Sequence, residues 1–123
     1  MLDYPSLDGF ENVYLEDSFV LGITASPARL ALELDLVLTP GHPAYTTPVP
    51  GEQHCYVKAT IEFLNVRRLE WTEQGTPPAV DASGSVDYGG VDALHWNGAA
   101  FHLEGDWGKA DVESSLPVIQ LHN

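Results

Sequence analysis

The chain has 123 residues, with 18 Asp and Glu against five Lys and Arg, a formal net charge of −13. That balance argues against nucleic-acid binding, where affinity comes from Lys and Arg displacing phosphate counterions, and against an anionic membrane surface. A hydrophobic fraction of 44% is enough to bury the core of one ordinary domain.

The start, Met1-Leu2-Asp3-Tyr4-Pro5, lacks the basic run and apolar stretch of a signal peptide. At most one helical turn is expected, near Leu7–Phe10. Phe19, Leu21 and Ile23 then alternate, which predicts a strand over Ser18–Thr24. Ala25-Ser26-Pro27-Ala28 reads as a tight link to a second strand, Arg29–Thr39. In that strand Leu occupies 30, 32, 34, 36 and 38, while Ala, Glu, Asp and Val fill the odd positions. Period two puts the five leucines on one face; on a helix they would spread around the circumference. The stretch is interrupted by Glu33 and Asp35 and is far too short to span a bilayer.

Residues 40–51 contain four of the nine prolines and can be neither helix nor central strand. A surface excursion of that length is a frequent carrier of function. The chain resumes with alternation from His54 to Leu64, Cys55, Val57, Ala59, Ile61 and Phe63 forming one face. Val66–Thr72 continues as a strand with Leu69 and Trp71 inward. Gln74-Gly75-Thr76-Pro77-Pro78 reads as a loop. Beyond it come short strands separated by Gly89-Gly90, by Asn97-Gly98, the strongest hairpin signal in the chain, and by Gly105-Asp106-Trp107-Gly108. A last strand is expected over Pro117–Leu121. The prediction is a single all-β domain, an antiparallel β-sandwich or flattened barrel of about eight to ten strands with little or no helix.

No zinc-type spacing links His42, His54, His95, His102 and His122. His95 and His102 flank the Asn97-Gly98 turn and are the weak metal candidates. Cys55 is the sole cysteine, which rules out an internal disulfide and suits a reducing, cytoplasmic setting. It falls on an apolar strand face and reads as an inert buried thiol. No GxSxG motif supports a serine nucleophile. Glu104 and Asp106 lie two apart, and Asp87 and Asp92 bracket the di-glycine. Paired carboxylates can hydrolyse glycosides when their environments differ. Asp81-Ala82-Ser83-Gly84 and Gly105-Asp106-Trp107-Gly108 lack the dense oxygen spacing of a calcium loop. Tyr45, Tyr56 and Trp107 are the aromatic binding candidates. Trp107, between glycines, would either present its indole at an interface or fold back over the core.

Two stretches, Asp17-Ser18-Phe19-Val20-Leu21-Gly22-Ile23 with the leucine strand after it, and Leu103-Glu104-Gly105-Asp106-Trp107-Gly108, carry a resemblance. In layout the chain resembles small acidic all-β bacterial proteins of unknown function, including immunity proteins of polymorphic toxin systems. The resemblance covers about half the chain and implies binding to a basic toxin and no catalytic residues; no cofactor is expected.

The expected function is therefore non-enzymatic binding of a basic protein through an acidic face. Tyr45, Tyr56, Asp87, Asp92, Glu104, Asp106 and Trp107 are the candidate contacts. A small-molecule or carbohydrate-binding domain is the alternative, and a hydrolase using His95, His102, Glu104 and Asp106 a second. Exposed strand edges make a homodimer conceivable.

Overall fold

The leucine alternation builds the centre of the molecule. In the computed structural model, which describes residues 2–72, 79–80 and 86–122, the five leucines of β3 (Arg29–Leu38) are all buried. β3 lies between β2 (Val13–Ser26) and β4 (Cys55–Leu64), and β11 (Val118–Leu121) pairs on the far side of β4. A second sheet has the order β1 (Leu2–Asp3), β8 (Ala93–Trp96), β9 (Phe101–Gly105), β10 (Gly108–Glu113), β5 (Arg68–Thr72). A two-stranded ribbon joins β6 (Ala79–Val80) to β7 (Val86–Asp87). Every pairing is antiparallel.

The two main sheets stack over one core, with the Phe63 and Phe101 rings 5.8 Å apart across it. They stay open, so the fold is the sandwich and not the flattened barrel. Their nine strands match the expected number. Among the described residues no helix is long and apolar enough to cross a membrane. Gln74–Pro78 and Asp81–Gly84 lie outside the described residues.

Local departures from expectation have physical causes. The single helical turn is a 3₁₀ turn at Tyr4–Ser6 rather than at Leu7–Phe10, where Phe10 N–H closes a turn onto the Leu7 carbonyl. Pro5 occupies the second position of that 3₁₀ turn, where its fixed φ suits the turn and its missing N–H costs nothing. Pro27-Ala28 makes a two-residue link, since Ser26 pairs with Arg29, and Ala28 takes φ +64°. Val66 and Arg67 stay outside β5 because their N–H groups donate to the Ala28 and Glu113 carbonyls as the chain changes sheets. The Asn97-Gly98 hairpin has a four-residue loop: Asn97 Oδ1 accepts from the N–H groups of Ala99 and Ala100.

The largest departure is in β2. The strand runs from Val13, and Phe19 faces outward while Val20 is fully buried. Tyr14 opposes Val37 and Phe19 opposes Asp35, so five steps on β2 match two on β3. The three surplus residues bow out as a bulge. A further shift at Leu21 then returns Ile23 to the inner face, opposite Leu32.

The segment Tyr88–Val91 bridges the two sheets at the outer edge of β2. Tyr88 N–H donates to Val20 O, Val20 N–H to Gly89 O, and Val91 N–H to Leu15 O. On its other side, the Trp107 indole donates to Gly90 O at 3.1 Å. A side chain at Gly90 would meet the Glu16 and Ser18 carbonyl oxygens at 2.8 and 3.1 Å, so glycine is required there.

Candidate partner face on the four-stranded sheet

The outer face of the four-stranded sheet gathers what the sequence scatters. At one end, Phe19 of β2 and Tyr56 of β4 reach across β3 and stack, ring centroids 5.9 Å apart. His54 meets Tyr56 edge-on, also at 5.9 Å, and holds Asp17 Oδ2 at 3.1 Å through Nε2. Phe19 and the neighbouring Tyr14 are each 40% exposed, high for large aromatic side chains on a sheet. Burial pushes the Tyr56 phenol above its ordinary range, and the carboxylates of Glu52, Asp17 and Asp35 push it further. The aromatic pair therefore sits in a negative field.

The bulge makes this arrangement. Ser18 Oγ donates to Tyr14 O at 2.8 Å and accepts from Val37 N–H at 2.9 Å. The hydroxyl thus stands where a direct strand-to-strand bond would run. That inversion turns Phe19 outward and leaves Glu16 and Asp17 exposed. At the base of the bulge, Tyr4 donates to Glu16 Oε1 at 2.5 Å and accepts from Leu15 N–H.

Along the same face lies a basin of about 420 Å³, lined chiefly by Arg29, Glu33, Lys58, Thr60, Gln120 and His122. That volume falls within the range of small-molecule sites. Arg29 pairs with Glu62 at 2.9 Å and Lys58 with Asp35 at 2.6 Å. On the floor, Thr60 Oγ1 and His122 Nε2 are 2.6 Å apart. Two of the chain's five basic residues border this basin. Sequence reasoning missed it because its residues come from β2, β3, β4 and the chain end. The one local hint was Gly22 in mid-strand, with open space where a side chain would stand.

The other candidates divide between two places. Asp92, Asp106 and Trp107 meet at the Tyr88–Val91 bridge. Asp92 N–H donates to Glu104 O, and the Asp106 side chain lies against Gly89. Asp87 ends β7 just before it. Trp107 takes the second of its two dispositions: it is buried in the core, its ring set edge-on to Trp71. Its carbonyl accepts from the Trp71 indole, so its carbonyl and its indole N–H are both used inside the protein. Tyr45 is half-buried and packs on the core. Tyr56 and the loop residues Thr46, Thr47 and Val49 line a cleft of only about 140 Å³.

On the outer face of the five-stranded sheet, His95 and His102 are cross-strand partners with ring centroids 5.2 Å apart. His102 Nδ1 meets Asp111 at 2.8 Å and Nε2 meets Glu104 at 3.1 Å, so both ring nitrogens face carboxylates. Among the described residues, no three His, Cys, Asp and Glu side chains are grouped to hold a metal ion. The hydrogen bond with His102 is the main reason the Glu104 carboxyl titrates below its usual range, with Lys109 adding to it. A general acid needs the opposite shift.

Partial burial works against the His102 imidazolium, but the bonds to Asp111 and Glu104 outweigh it and raise its pKa. Folding then favours the protonated ring. Its contribution is fully present below the unfolded histidine pKa of about 6.5 and is lost as pH rises through the folded value. An NMR titration should show His102 as a late-titrating imidazole, and Asp111→Asn should bring it down. A His102 pKa at or below the peptide value would contradict this geometry.

Comparison of the chain with protein-family models, with curated proteins and with solved structures gives no match.

Proposed function

We propose that the domain is a non-enzymatic binding protein that engages a basic protein partner through the outer face of its four-stranded sheet. The observation that carries this reading is the stack of exposed Phe19 on half-buried Tyr56 among Asp17, Asp35 and Glu52. A guanidinium or ammonium group gains from an aromatic face and from carboxylates at its rim, and here one surface offers both. The charge of −13 steers a cationic partner toward the domain from a distance. An immunity-type role, in which the domain occupies and neutralises a basic toxin, is the form of this reading that the layout resemblance favours.

The test is capture at low salt from the native host by immobilised wild-type protein and by Phe19→Ala and Tyr56→Ala variants. The expected partner is basic, is released by added salt, and binds each variant at least about tenfold more weakly, as for a central aromatic anchor. A partner held equally by all three proteins would refute the assignment of this face. Recovery of no basic protein would count against the function itself.

The basin supports a second reading, binding of a small polar ligand between the Arg29–Glu62 and Lys58–Asp35 pairs. A thermal-shift screen of sugars and amino-acid-like zwitterions checks it, since a ligand that binds only the folded state raises the melting temperature.

A further inference from the structure

We infer that β11 is a self-association edge, through which two copies pair antiparallel about Gln120 and join their basins. The inference is independent of the basic-partner reading.

It starts from which backbone groups are used. His122 N–H donates to Lys58 O at 2.8 Å, and Gln120 opposes Thr60. In an antiparallel pair, residues that exchange bonds alternate with residues that do not. Val118, Gln120 and His122 therefore direct their amides toward β4. Ile119 and Leu121 direct theirs outward, where no described strand lies.

Side chains point the same way. Ile119 and Leu121 face the core yet remain half-exposed, because the sheet ends beside them. Val118 is 48% exposed on the outer face, near exposed Leu64 and Leu116. Edge strands are ordinarily guarded by charge, proline or bulges. β1 ends in Asp3, β5 carries Arg68 and Glu70, and the outer edge of β2, which carries Glu16 and Asp17, is covered by Tyr88–Val91 from Leu15 to Val20. Among the described edge strands of the two main sheets, β11, Val-Ile-Gln-Leu, alone has no charged residue. For a chain of charge −13, it is the edge where a second copy can approach without opposing carboxylates on the strands themselves.

The register follows. Only residues with outward amides can exchange bonds across the new seam, and Pro117 has no N–H to give. A two-fold centred on Gln120 sets Ile119 against Leu121 of the other copy, twice, and avoids the proline. Gln120 then meets its own copy, and His122 meets Val118 of the other copy. Gln120 and His122 line the basin, so the second copy completes its open side.

Sedimentation equilibrium tests this. Wild-type protein should show a concentration-dependent dimer that strengthens with added salt, because screening relieves repulsion between two acidic copies. Partner binding at the Phe19–Tyr56 face has the opposite salt dependence, which separates failure of one idea from failure of the other. Gln120→Glu and Gln120→Lys should each weaken the dimer several-fold by placing like charges side by side, and an equimolar mixture should form the heterodimer preferentially. Ile119→Pro removes an outward N–H and should give a monomer, with circular dichroism reporting that it remains folded. A monomer at all concentrations, a dimer unaffected by both Gln120 variants, or a mixture with no heterodimer preference would overturn the proposal.

Discussion

Trp107→Ala should cost about 3–5 kcal/mol of folding stability, as buried large-to-alanine changes do. The measurement is the denaturant midpoint at unchanged slope. The indole is 5% exposed and fills the space between the Tyr88–Val91 bridge and Trp71. Its loss would open a cavity and leave the Gly90 carbonyl without its donor. Trp107→Phe separates the two contributions, keeping much of the packing and removing the N–H. A loss below about 1 kcal/mol for the alanine variant would mean that the indole is a surface group after all.

Ser18→Ala should cost about 2–4 kcal/mol, unusually much for removal of one oxygen, because it orphans two backbone groups at once, a buried N–H and a part-buried carbonyl. Ser18 is 1% exposed, and its hydroxyl serves both Tyr14 O and Val37 N–H. Alanine fits the space but offers neither a donor nor an acceptor. The same variant should loosen the bulge that turns Asp17 and Phe19 outward, so partner affinity should fall although residue 18 touches no partner. Cysteine, a weak donor and acceptor of similar shape, should recover only part of the loss. Equal stability of Ser18→Ala and wild type would mean that the bulge closes by a direct Tyr14–Val37 bond.

How far the sequence reached depended on whether a feature was periodic. β3 was legible because leucine at every second position, with Glu33 and Asp35 between, fits only a strand with one apolar face. β4 was legible for the same reason. In β2 the alternation of Phe19, Leu21 and Ile23 groups on one face residues that the structure separates: Phe19 and Leu21 lie outward and Ile23 inward. A bulge of three residues inverts the faces, and its cause, one serine hydroxyl reaching a residue 19 positions away, leaves no periodic trace. Trp107 could be narrowed to two dispositions but not decided, because its acceptor is a carbonyl 17 residues earlier. Tyr56 is legible as a binding candidate; its stacking partner is not, because the alternation groups Phe19 with Leu21 and Ile23. The Thr60–His122 contact spans 62 positions and depends on β11 pairing with β4, which no local pattern announces.

The Tyr88–Val91 bridge has a consequence for assembly. A sandwich with two free long edges can add copies at both and grow without limit, as fibres do. Here the first half of the β2 edge spends its outward groups at Leu15 and Val20 on the chain's own backbone. Union through β11 uses up that edge in both copies and exposes no equivalent one. In a dimer joined through β11, the glycine and tryptophan that fasten the bridge would guard the covered part of the β2 edge against further copies.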